Sequence, residues 1–172
     1  MARVVVRTPT IDDQDEFIAR MRASRALHRP WISMPETPEK YEAYVARTED
    51  PRAAMFIGCR REDGAIVGFL NISEIVRGPF KSAFLGYGGV AGFERQGYMT
   101  EALKLLLREA FTNLGLHRLE ANIQPGNVAS IALAKRVGFE HEGFSPRYLK
   151  VGGRWRDHER WAIRSETWRA LR

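Results

Sequence analysis

A single cysteine among 172 residues excludes an internal disulfide. That residue, Cys59, ends the apolar stretch Met55-Phe56-Ile57-Gly58-Cys59. In such company a thiol reads as a buried strand residue and not as a nucleophile. No apolar run approaches the roughly 20 residues that cross a bilayer. Met1 to Arg7 is too short and too interrupted by arginine to read as a signal peptide, so the chain is expected in the cytoplasm. His28, His117, His141 and His158 share no metal-ligand spacing with one another or with Cys59, and no metal is expected. There is no P-loop, no dinucleotide-type glycine fingerprint, no internal repeat and no linker.

What is present suits one ordinary globular domain spanning 1–172. Apolar residues make up 44% of the chain, enough for a substantial core. The net charge of +6 comes from 27 basic and 21 acidic residues. The basic residues are scattered, with no run of five and no interleaved aromatics, so the pattern matches no nucleic-acid module. A polyanionic cofactor accounts for part of the surplus.

Arg3 to Arg7 reads as a first strand. Thr10-Ile11-Asp12-Asp13 reads as a capped helix start, with Phe17, Ile18, Met21 and Leu27 as its apolar stripe. Pro38 opens a second helix, after an aromatic-bearing loop from His28 to Pro35. Strands are expected over Ala53–Arg60, Ala65–Val76 and Ala83–Val90, the first two joined by Glu62-Asp63-Gly64. A helix from Met99 to about Asn113 carries Leu103, Leu106, Leu107 and Ala110 on one face. A strand over His117–Gln124, a helix over Val128–Val137 closed by Gly138, and a hairpin turning at Gly152-Gly153 complete the chain. The order suits an α/β fold with a mixed sheet and helices on both faces.

Two loop-to-helix junctions carry the chemistry. The first is Glu94-Arg95-Gln96-Gly97-Tyr98-Met99-Thr100; the second is Asn127-Val128-Ala129-Ser130 with Lys135-Arg136-Val137-Gly138-Phe139. A helix start presents unpaired backbone N–H groups, a ready site for a diphosphate. Asn127 could also be only the N-cap of its helix, and Ser130 only a first-turn serine. Leu85-Gly86-Tyr87-Gly88-Gly89-Val90 precedes the first junction, and glycines weaken a strand unless something needs the space.

This pair of junctions, in this order, resembles the acyl-CoA-binding core of the GNAT N-acetyltransferases. The resemblance implies a GNAT fold: a mixed central sheet of about seven strands, its glycine-rich strand bulged and splayed from the next to admit a pantetheine arm. It implies acetyl-CoA as donor, held by Val90, Arg95, Gln96, Gly97, Tyr98, Met99, Thr100, Asn127 and Ser130, with Glu94 turned away from the anion. Ser130 is the implied proton donor to the departing thiolate. Glu120 and Glu74 are candidate bases, and Trp31, Glu74, Tyr87 and Tyr148 are candidate acceptor-site residues.

Phe69-Leu70-Asn71-Ile72-Ser73, Glu142-Gly143-Phe144 and Trp155-Arg156-Asp157-His158 narrow the likeness. They resemble the Rim-type ribosomal-protein-alanine N-acetyltransferases, especially the type acting on small-subunit protein S5. The implied acceptor is the α-amine of a protein N-terminus, possibly ribosomal. A small amine, or a non-catalytic acyl-CoA-binding module, stands as the alternative, as does monomer or homodimer. The acceptor sets the demand on a base. At pH 7, freeing an α-amine of its proton costs about 1 kcal/mol, against about 4.6 kcal/mol for a lysine, so a weak base or a water relay suffices.

Overall fold

The computed structural model describes residues 2–172. Seven strands form one sheet: β1 (Val4–Arg7), β2 (Ala54–Arg60), β3 (Ile66–Val76), β4 (Ser82–Gly89), β5 (Arg118–Ile123), β6 (Glu140–Val151) and β7 (Arg154–Arg164). Their order across the sheet is β1-β2-β3-β4-β5-β7-β6. All neighbours are antiparallel except β4 and β5.

Six helices cover the sheet: α1 (Gln14–Ala23), α2 (Arg25–His28), α3 (Pro38–Ala46), α4 (Tyr98–Arg108), α5 (Val128–Arg136) and α6 (Ser165–Ala170). A wider π-type turn, Glu109–Asn113, extends α4. One core packs α4, α5 and α6 on one face, with Leu103, Leu106, Leu107, Ala134 and Trp168 buried against Leu70, Leu119 and Ile163. The other face holds Phe17, Ile18 and Met21 of α1 and Tyr41 and Tyr44 of α3 against Met55, Ile57 and Phe69. Each fully buried leucine of α4 stabilises by about 1.5–3 kcal/mol, which explains why this helix was so clear in the sequence.

The apolar stripe of the first helix stops short of Leu27, which is 40% exposed. The helix breaks at Ser24 (φ −98°, ψ 8°), and the restarted turn α2 buries His28 instead. The turn α2 and the terminal helix α6 are additions to the expected order.

The parallel pair is short. β4 and β5 pair only at Ser82↔Arg118, Ala83↔Leu119 and Phe84↔Glu120. Past that point β4 stays with β3 up to Gly68↔Gly89, and β5 stays with β7 up to Ile123↔Glu159. The sheet therefore divides into two halves that part as a V. The expected splay is present, but the expected bulge is not in β4. Its register against β3 is unbroken from Phe84 to Gly89, and the extra residue lies in β3, at Glu74-Ile75. Glu74 has φ 51°, a left-handed turn that absorbs the misfit.

The glycines of these strands serve close approach. A Cβ on Gly58 would meet Ala102 at 3.3 Å, one on Gly89 would meet Met99 Cγ at 3.3 Å, and one on Gly68 would meet Met99 Cε at 3.1 Å. Together the three clear a seat for the first two turns of α4. Gly88 makes room for the Phe69 ring on the opposite face, with Cε1 at 2.8 Å, while at Gly86 a Cβ would meet nothing within 4 Å.

Candidate active site

The loop from Gly92 to Gly97 is folded by its own side chains. Gly92 N–H donates to Glu94 Oε2 at 2.6 Å, and Gln96 Nε2 donates to Gly92 O at 3.0 Å. Left-handed backbone at Arg95 (φ 59°) and Gly97 (φ 82°) then turns the chain into α4. Gly97 is the N-cap, and no side chain caps this helix end. The N–H groups of its first turn, Tyr98, Met99 and Thr100, therefore face the groove without a side-chain acceptor.

The second junction is built differently. Asn127 Oδ1 accepts the Ser130 N–H at 3.3 Å, so this helix start carries its own cap. Sequence pattern made both junctions candidate anion sites; geometry leaves that role to α4. Between the helices lies a groove of about 780 Å³ lined by Val90, Arg95, Gly97, Tyr98, Met99 and Thr100. Lys104, Leu133 and Arg136 line it as well. Glu94 and Glu101 line it too, but Glu101 is paired with Arg3 (Oε2 to Nε 3.3 Å), so the three cations Arg95, Lys104 and Arg136 outweigh Glu94 and leave the groove net cationic.

Three expected cofactor residues lie beside this groove without lining it. Gln96 is folded onto Gly92 and Asn127 caps α5. Ser130 offers its backbone carbonyl to the Tyr87 hydroxyl at 2.8 Å. The Ser130 hydroxyl makes no hydrogen bond to another described residue. Lys104 and Arg136 were missed, although a signal existed. Lys104 is one helical turn beyond Thr100, and Ala129, Ala132, Leu133 and Arg136 form an i, i+3, i+4, i+7 stripe.

Tyr87 stands on β4 where the strands part. Burial pushes its phenol up to about 12, with the bond to Ser130 opposing the shift. The hydroxyl thus stays protonated throughout the neutral range as a hydrogen-bond donor, and it ties α5 to β4 across the mouth of the V.

The opposite face of the sheet carries a second depression of about 420 Å³, lined by residues that include Ile32, Met34, Tyr44, Asn71, Ser73 and Gly86. The Tyr44 hydroxyl donates to Asn71 Oδ1 at 2.6 Å, and burial raises its phenol above the ordinary range. Register aligns Asn71 with Gly86 on one side of the V and Asn122 with Arg160 on the other. Glu120 pairs with Phe84 at the apex. Its Oε1 accepts from Arg118 Nε at 2.9 Å, and Arg118 also grips Glu142 (Nη1 to Oε1 2.9 Å). That hydrogen bond holds the Glu142 carboxyl below its usual range.

Trp31, in the α2–α3 loop, lines neither depression and lies instead against the β5–α5 loop. A Cβ on Gly126, in the β5–α5 loop, would sit 3.0 Å from its ring. The loop is anchored by His28, whose Nε2 lies 2.8 Å from Gly89 O, and by Ser24 Oγ, which accepts Ala91 N–H at 2.9 Å. Tyr148 packs its ring 6.2 Å from that of His158. Glu74 sits exposed at the β3 bulge and lines neither depression. No group of His, Cys, Asp or Glu among the described residues could hold a metal ion.

Residues 3–140 match the family model described as an acetyltransferase (GNAT) domain. The chain is 32% identical over 124 residues to a probable N-acetyltransferase, YjcK, of Bacillus subtilis, covering 72% of this chain and 67% of that one. It is 37% identical over 107 residues to the ribosomal protein uS5-alanine N-acetyltransferase of Escherichia coli, covering 62% of this chain. That alignment spans only 55% of the Escherichia coli protein. Among solved structures, Mycobacterium smegmatis RimJ in complex with CoA-disulfide superposes with a TM-score of 0.87 at 31% identity, over 95% of this chain and 82% of that one.

Proposed function

The chain belongs to the GNAT family of N-acetyltransferases, and on that premise we propose that it moves the acetyl group of acetyl-CoA to the α-amine of a polypeptide N-terminus. The observation that carries this reading is the V between β4 and β5. It joins a cationic groove with an uncapped helix start on one face to a polar, open depression on the other. A diphosphate fits the first turn of α4, where N–H groups and the helix dipole favour an anion, with Arg95, Lys104 and Arg136 as counter-charges. The two sides meet at the apex, so a donor and an acceptor bound from opposite faces can react directly in one ternary complex.

Within that complex the amine nitrogen bonds to the thioester carbon as the carbon–sulfur bond breaks. One proton leaves the nitrogen and one must reach sulfur. Ser130 supplies the second: its Oγ is uncommitted, and its backbone is tied to β4 by Tyr87. Glu120 is already bound to Arg118, so it serves better by holding a water at the apex than by direct contact with the amine. An α-amine needs only about 1 kcal/mol to lose its proton at pH 7, so a water relay suffices.

Fragmentation mass spectrometry of a reacted peptide tests this. A peptide with a free α-amine and an internal lysine should gain one acetyl group, located on the α-nitrogen. Acetyl found on the lysine, or only on small amines in a mixed reaction, would refute the acceptor assignment while leaving the family intact. We further propose that such an acceptor is a ribosomal protein, as it is for the uS5-alanine N-acetyltransferase of Escherichia coli, and that the enzyme works in the cytoplasm.

A further inference from the structure

Five side-chain nitrogen or oxygen atoms among the described residues are buried with no hydrogen-bond partner. Four of them are Asn122 Oδ1, Gln124 Nε2, Arg156 Nε and Arg160 Nε; the fifth, Gln14 Oε1, lies on α1. Burial without a partner is costly, so four such atoms in one neighbourhood ask for a ligand.

Their placement is ordered. Asn122 pairs with Arg160 across β5 and β7. Side chains alternate along a strand, which puts Asn122 and Gln124 on the same face as Arg156, His158 and Arg160. The intervening residues Ala121, Ile123, Trp161 and Ile163 fill the core on the other face. Asn122 and Arg160 continue the line of Asn71 and Gly86 across the V. Arg160 is seated on Gly143, where a Cβ would meet its Cζ at 3.2 Å; an extra residue in β6 at Glu142 brings that glycine under the guanidinium. Among the described residues neither Arg156 nor Arg160 has an ion-pair partner.

We propose that Asn122, Gln124, Arg156 and Arg160 form an acceptor subsite that reads the first peptide units of a polypeptide N-terminus and rejects polycations. This rests on the reading of the chain as an N-terminal acetyltransferase. The set offers one acceptor, Asn122 Oδ1, and three donors. A peptide N-terminus offers the complement: an amine that donates, followed by backbone carbonyls that accept. Asn122 takes an amine N–H and so orients the nitrogen lone pair toward the apex. The arginine Nε–H groups and the Gln124 amide take the carbonyl oxygens. A polyamine has no acceptor to give them, and its ammonium groups meet two unpaired guanidinium charges.

The test compares kcat/KM for a short peptide with a free α-amine, a simple alkylamine and spermidine, in the wild-type protein, Arg160→Leu and Arg160→Lys. CoA affinity and melting temperature report whether each variant keeps its fold and donor groove. The wild-type protein should favour the peptide over both amines. Arg160→Leu should lower peptide kcat/KM roughly 10- to 100-fold, mostly through KM, while the alkylamine value stays level. Arg160→Lys keeps the charge but loses the fixed Nε–H; it should also weaken the peptide while still rejecting spermidine. Peptide acetylation that survives both substitutions, or peptide and alkylamine rates that fall together, would overturn the subsite alone. Wild-type turnover of spermidine with none of the peptide would overturn the N-terminal reading and the subsite with it.

Discussion

Gly68→Ala and Gly86→Ala are the same chemical change on adjacent strands, and the structure gives them opposite outcomes. At Gly68 the new methyl meets Met99 Sδ, Met99 Cε at 3.1 Å and the Gly88 carbonyl oxygen at 2.7 Å. The thioether can swing away; the carbonyl, fixed in the β3–β4 ladder, cannot. Overpacking of this kind costs about 1–3 kcal/mol. For a chain of this size that lowers the melting temperature by about 2–12 °C. Met99 belongs to the first turn of α4 and lines the groove, so pushing its thioether aside disturbs the donor site at the helix start. An anion at a helix N-terminus gains up to about 2 kcal/mol, so CoA should bind up to roughly 30-fold more weakly. At Gly86 a Cβ meets nothing within 4 Å. Replacing a strand glycine there should stabilise by about 0.5–1 kcal/mol and leave CoA affinity unchanged. Thermal unfolding and calorimetric titration with CoA read both variants. A Gly68→Ala protein with wild-type stability and wild-type CoA affinity would refute the idea that these glycines seat α4.

Other residues give further expected outcomes. Ser130→Ala removes a hydroxyl that bonds to no described residue, so stability should hold within about 0.5 kcal/mol, while kcat for acetyl transfer falls roughly 10²-fold or more; unchanged kcat would remove Ser130 from the chemistry. Tyr87→Phe deletes the buried bond to the Ser130 carbonyl and should cost about 1–2 kcal/mol of stability, visible in urea unfolding, with kcat lowered because α5 is no longer tied to β4. The Arg7 hydrogen bond holds the Asp13 carboxyl below its usual 3.8. A depressed carboxyl contributes stability that is complete above about pH 4 and is lost as pH falls through the folded value. Asp13→Asn should therefore be less stable than wild type at neutral pH, with the gap closing below pH 4; a gap independent of pH would contradict this.

Local pattern carried much of the fold. The spacing of Leu103, Leu106, Leu107 and Ala110 marked α4, and paired glycines with φ of 59° and 78° at Gly152 and Gly153 marked the last hairpin. Features set by distant contacts were not legible. Leu27 continues the α1 spacing, but the break at Ser24, whose hydroxyl is drawn to Ala91, turns that stripe away. The six residues of α6 are too few for a periodic signal, and their burial depends on Trp168 meeting Phe111 at 5.5 Å. The bulge fell on β3 because the strain is taken up at Glu74, not at the glycines of β4. At the site, the Gly97 helix start could be read from the loop sequence. That α4 lacks a cap while Asn127 caps α5 is a matter of side-chain geometry. The buried row on β5 and β7 emerged only when register placed Asn122 beside Arg160.

Direct transfer across the V is tested most simply by thiol release from acetyl-CoA with two versions of one peptide. One has a free α-amine; the other has a blocked α-amine and a free lysine. Thiol should appear only with the first, in a one-to-one ratio with acetylated peptide. Initial rates should give intersecting lines as both substrates vary, the pattern of a ternary complex. Equal release with the blocked peptide, or parallel lines that signal an acetylated enzyme, would contradict the account.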